Sequence, residues 1–139
     1  MITLYRATSE QPQTVTADSR AELARLEQER DSGPPGEYMV DAFQRMGKEK
    51  YVRLVELRGV IKEQQFFSDN EAQVRANAGS HRYLSVLTIP EEDGAPRVVT
   101  EEAMGAVGEK AVPNSTNYAF TGDEIAEHIG NWTMVVKEL

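Results

Sequence analysis

The chain contains no cysteine. Disulfides, thiolate nucleophiles and zinc sites built on sulfur are therefore excluded. Histidine is almost as scarce: His81 and His128 are the only imidazoles, and they fall in different predicted elements. No apolar run approaches the roughly 18 residues that a membrane-spanning helix needs. The opening MITLYRATSE has no basic region followed by an apolar one, which predicts no secretory leader. With the lack of cysteine, this predicts a cytoplasmic protein.

Catalytic signatures are missing as well. There is no Gly-x-Ser-x-Gly elbow, no Gly-x-x-x-x-Gly-Lys loop and no Gly-x-Gly-x-x-Gly turn. Gly105-Ala-Val-Gly108-Glu-Lys110 has glycines and a lysine but the wrong spacing for a phosphate cradle. Ser80-His81 reads as a turn rather than as part of a triad.

What the chain does have is acid, unevenly spread. The formal net charge is −8. Residues 1–90 hold 13 acids against 12 bases, whereas residues 91–139 hold 10 against 3. Such a balance repels phosphate backbones, so direct nucleic-acid binding is disfavoured. It suits a basic protein surface instead.

A length of 139 residues fits one domain with one core. The most strand-like stretch is Arg82-Tyr-Leu-Ser-Val-Leu-Thr-Ile-Pro90. Apolar groups fall on both of its faces, which predicts a strand inside a sheet, covered above and below. Ile2 to Ala7 alternates as a first strand. Ser19-Arg-Ala-Glu22 has the spacing of a capping box and predicts a surface helix to about Arg30. Asp31-Ser-Gly-Pro-Pro-Gly36 breaks it. Glu37 to Met46 predicts a helix whose core face is Tyr38, Met39, Ala42, Phe43 and Met46, closed by Gly47.

Tyr51 to Arg58 alternates imperfectly and predicts a strand, with a helix as the competitor. Gly59 then predicts a bulge or bend, and Val60 to Phe67 a strand or loop. Ser68-Asp-Asn-Glu71 predicts a short capped helix to Ala78. Glu91 to Pro96 predicts an acidic turn, with Arg97-Val-Val99 folding back along Tyr83–Ile89 as a hairpin. Thr100 caps a short helix, and Lys110 to Ser115 is loop. Asn117 to Phe120 is a strand. Thr121-Gly-Asp-Glu124 caps a helix whose Ile125 and Ile129 face the core, and Asn131 to Leu139 is a last strand. The sum predicts one α+β domain over 1–139. Its sheet is mainly antiparallel, of five to six strands, with helices packed on one side. Exposed edges at Ile2–Ala7 or Trp132–Leu139 suit pairing into a homodimer.

The candidate binding residues are the acids of the last third: Glu91, Glu92, Asp93, Glu101, Glu102, Asp123, Glu124 and Glu127. Negative charge in helix first turns is also favoured by the helix dipole, so these groups need no catalytic role. Glu124 and His128 stand one turn apart, yet Ile125 and Ile129 leave the acids on the wet side, and no metal site is predicted. The reading that follows is a non-catalytic acidic module without a cofactor. It would block a basic, nucleic-acid-handling or defence protein, by analogy with phage and mobile-element inhibitors. An immunity or antitoxin partner differs only in its target.

Two stretches carry a second reading. Thr3-Leu-Tyr-Arg6 on a first strand resembles the opening of ADP-ribosyltransferases. Tyr118-Ala-Phe-Thr-Gly-Asp-Glu-Ile125, with Ile129, resembles the strand and turn that close such domains. The resemblance implies an NAD-binding enzyme or a degenerate relative, with Arg6 helping to hold the dinucleotide. It departs from that pattern in having no Glu-x-Glu or Gln-x-Glu on a late strand. Asn117 stands before Tyr118, so the carboxylate that polarises the ribose is missing.

Overall fold

The computed structural model describes residues 1–139. Six strands and seven helices follow in the order β1 (Ile2–Thr8), α1 (Ala17–Asp31), α2 (Met39–Met46), α3 (Lys48–Ile61), β2 (Gln64–Ser68), α4 (Glu71–Ala76), β3 (Tyr83–Ile89), α5 (Glu91–Gly94), β4 (Val98–Val99), α6 (Glu101–Ala106), β5 (Asn117–Thr121), α7 (Gly122–Glu127) and β6 (Thr133–Glu138). A 3₁₀ turn at Ala95–Arg97 precedes β4. All strand pairs are antiparallel, in the order β4-β5-β2-β1-β3-β6, and the fold is α+β as predicted. No helix is long and apolar enough to cross a membrane.

The sheet consists of two well-paired halves. β1, β3 and β6 register along their length, and so do β2 and β5. Between the halves, β1 and β2 register at one pair, Tyr5 with Ser68. Leu4, Phe67, Leu87, Ile89, Tyr118, Phe120 and Trp132 draw from both halves to form the main core. A second core joins α1, α2 and α3 through Leu23, Leu26, Met46, Leu54, Leu57 and Ile61. Helix α7 links the two: Ile125 packs on the first and Ala126 on the second. A third cluster, Phe66, Met104 and Ala119, shows that α6 covers the opposite face of β2 and β5. Helices therefore lie on both faces of that half rather than on one side.

β3 is an interior strand, flanked by β1 and β6. Ser85, Leu87 and Ile89 are buried on its core face. On the other face Leu84 is buried while Val86 and Thr88 are partly open, so cover there is partial. β1 is interior too, which corrects its reading as an edge; β6 keeps an open edge.

The predicted strand at Tyr51–Arg58 is instead the middle of α3. Leu54, Leu57 and Ile61 recur at helical spacing and bury against α1, an outcome that a local alternation pattern cannot outweigh. Gly59 lies inside this helix and makes no bulge. Gly47 separates α2 from α3 at φ +90°, a conformation that favours glycine.

Two predicted caps lie at other residues. Thr16, not Ser19, caps α1; Ser19 is its reciprocal partner three residues on, so the helix gains a turn. Asn70, not Ser68, caps α4. The box at Thr121 and Glu124 and the cap at Thr100 stand as predicted. Tyr38 and Met39 are 77% and 75% exposed, because the start of α2 projects past the helices that cover Ala42 and Met46. Ile129 is also exposed, since α7 ends at Glu127.

The hairpin predicted after Pro90 does not form. β4 pairs with β5, at the far edge from β3. The intervening α5 and 3₁₀ turn pass the main core and are pinned there. Asp93 accepts the Trp132 indole N–H at 2.7 Å, and Arg97 pairs with Glu124 at 2.8 Å. Gly94 leaves room for the Ile2 side chain, which a methyl group would displace.

Candidate functional site

Where β1 and β2 part, the ladder lacks donors for β2, and a side chain substitutes. Arg6 donates from Nη1 to the Phe66 carbonyl at 3.3 Å. The guanidinium is partly buried and makes no ion pair within 4 Å. It borders a cleft of about 250 Å³. Tyr5, Ala7, Phe66, Val74, Asn77 and His81 line it. Met104 and residues 109–112 of the segment between α6 and β5 close it, together with Asn117.

That closing segment is held at several points. Asn117 accepts the Val112 N–H at 3.3 Å and donates to the Val112 carbonyl at 3.4 Å. Asp69 exchanges two hydrogen bonds with the Thr116 backbone, at 2.9 and 3.1 Å. Asn70 donates to the Asn114 carbonyl at 3.1 Å. Gly108, at φ +79°, ends α6 in a left-handed turn, and the Glu109 N–H returns to the Met104 carbonyl at 2.9 Å.

Burial pushes the Arg6 pKa down, and the Glu109 charge partly restores it. A guanidinium stays protonated under such a shift, so the cleft has a permanent cation in its wall. Tyr5 is held above the ordinary phenol range by burial, then by the Glu71 carboxylate. His81 shares a hydrogen bond of 3.0 Å with Ser9 at the rim. A guanidinium with spare donors, beside aliphatic and amide groups, can hold an anion such as a phosphate or carboxylate. No cluster of three or more metal-ligating side chains is present.

The predicted acids differ in their surroundings. Asp93 serves Trp132, Asp123 pairs with Arg20 at 2.6 Å, and Glu124 is divided between Arg97 and its capping role. Glu91, Glu92, Glu101, Glu102 and Glu127 are exposed. The Glu124 carboxylate turns to Arg97 while His128 Nδ1 bonds the Glu124 backbone carbonyl at 2.8 Å, so this pair does not converge on a cation. A larger groove of about 780 Å³ runs along α1, but its charges pair with one another, Arg20 with Asp123 and Lys62 with Glu27.

Sequence reasoning reached Arg6 through the resemblance and missed Glu109, Asn77 and His81 as its neighbours. No spacing rule links these residues. Only the glycine at 108, two places after a short helix, hinted that the next residue would be turned back toward α6. No family model, no curated protein and no solved structure matches this chain.

Proposed function

We propose that the protein binds a phosphate-bearing nucleotide of the nicotinamide dinucleotide type in the cleft beside Arg6. The observation that carries this reading is a partly buried guanidinium, bonded to one carbonyl and paired with no carboxylate, at the wall of a cavity. Anions are the complement of such a group, because charge-assisted bonds outweigh neutral ones where water is scarce. Of the two stretches that resemble ADP-ribosyltransferases, the first supports it, since Tyr5 and Arg6 line the cleft; none of Tyr118 to Ile125 does. A cavity of about 250 Å³ lies just below the size of most small-molecule sites, so one end of the dinucleotide enters and the rest lies along the rim. The Asn117 amide is engaged with Val112 and carries no charge, which favours binding over efficient transfer.

The test is a calorimetric titration with NAD at millimolar concentration. Saturable heat is expected, lost in Arg6→Ala while the melting temperature stays within a few degrees. No heat from the unaltered protein would overturn the reading.

The exposed carboxylates of Glu91, Glu92, Glu101, Glu102 and Glu127 support a second reading, an acidic surface docking on a basic protein. Its signature is an affinity that falls as salt rises; a flat salt dependence with a purified partner would remove it. The open edge of β6 supports pairing with a second copy.

A further inference from the structure

Glu109 is the only acid among the residues that line the Arg6 cleft. Its backbone position is set by two features. Gly108 adopts φ +79°, and the Glu109 N–H closes onto the Met104 carbonyl at 2.9 Å; Met104 is itself buried in the cleft wall. The Asn117 clasp on Val112 restrains the chain on the other side. Glu109 is thus held at the mouth, yet no cation lies within 4 Å of its carboxylate. A carboxylate left unpaired opposite an unpaired guanidinium offsets its field without occupying its donors. Lys110, the next residue, also lines the cleft and is exposed like Glu109.

We propose that Glu109 is a specificity-determining residue: it lowers the positive charge that Arg6 and Lys110 give the cleft, so that singly charged phosphate links are accepted and doubly charged terminal phosphates are not favoured. This rests on the anion-binding reading of Arg6. The physical ground is that the effect of a fixed charge on a ligand scales with the ligand's own charge. For a solvated carboxylate several ångströms from the bound phosphate, a unit charge changes the affinity of a singly charged group about threefold, and that of a doubly charged group by up to about the square of that factor.

The experiment compares the unaltered protein with Glu109→Gln, by calorimetry at low salt. The probes are NAD, whose phosphates each carry one charge, and AMP, whose terminal phosphate carries nearly two at pH 7.5. Glu109 is exposed, so the variant keeps the fold, and a melting curve confirms that. The expected result is a rise of about threefold for NAD and a clearly larger rise for AMP. AMP binding that appears only in the variant gives the same answer. Equal gains, no gain, or AMP undetected in both proteins while NAD binds would overturn the role of Glu109 and leave the Arg6 reading standing. If neither probe binds either protein, the Arg6 reading itself is overturned, and this inference with it.

Discussion

Asp93 and Trp132, 39 residues apart, are joined by an indole N–H to carboxylate hydrogen bond of 2.7 Å. The bond ties the segment leaving β3 to the residue that enters β6. Trp132 is 4% exposed, so its N–H has no water to turn to. Asp93→Ala is expected to cost about 1–3 kcal/mol, the penalty of an orphaned buried donor. Asp93→Asn, which keeps an acceptor oxygen, should cost less. Urea unfolding followed by the fluorescence of this one tryptophan measures both.

Two glycines should respond in opposite directions to alanine. A methyl group at Gly122 would overlap the Val60 carbonyl oxygen and crowd Val15, forcing α7 away from α3. Gly122→Ala is expected to destabilise by roughly 3 kcal/mol, since backbone cannot yield as a flexible side chain does. Gly105 lies within α6 with nothing near its missing side chain. Gly105→Ala should stabilise by about 0.5–1 kcal/mol through helix propensity. Thermal melts of the two variants give the signs.

The acid limb of the stability curve should depend on Glu22, Glu37 and Glu71. Hydrogen bonds from Arg53, Arg45 and Arg75 hold these carboxyls below their ordinary range. A carboxyl depressed in the folded state contributes stability at neutral pH and loses it as the pH falls through its folded value. The loss is therefore expected below about pH 4, where unfolded carboxylates are already taking up protons. Glu22→Gln should flatten that limb and leave the slope above pH 6 unchanged. A series of chemical denaturation curves from pH 3 to 7 would show it.

Asn117→Ala removes both hydrogen bonds to Val112. Amide exchange across residues 107–116 is expected to quicken relative to β5, and stability to fall by about 1–2 kcal/mol. Exchange followed by mass spectrometry separates local loosening of the cleft from global unfolding. Unchanged exchange in that segment would mean that Asp69 and Asn70 hold it without help.

Much of the element order was written in local pattern. The interior strand Tyr83–Ile89 announced itself by β-branched residues on both faces, and Asn117–Thr121 and Thr133–Glu138 by alternation. Thr100 and the Thr121–Glu124 box marked helix starts because capping needs only neighbours in sequence. Local chemistry was ambiguous where two caps stood three residues apart. Ser19 was read as the cap with Glu22 as its partner, whereas Thr16 caps and Ser19 is the partner, because the hydroxyl of Ser19 can close a box in either position.

Residues 51–58 show the limit of periodicity. Their pattern fits a period of two and a period of 3.6, and contact with α1 decided between them. The acids show another. Asp93, Asp123 and Glu124 read as surface charge, and their partners Trp132, Arg20 and Arg97 lie 39, 103 and 27 residues away.

The sequence by itself determined an acidic, cysteine-free α+β chain and where most of its helices and strands begin, because those depend on side chains a few positions apart. Tertiary structure alone decided that β4 joins β5 instead of β3, that β1 and β2 part after one pair, and that Arg6 and Glu109 border one cleft. Those outcomes are set by which distant surfaces bury each other best, and no window along the chain contains both partners.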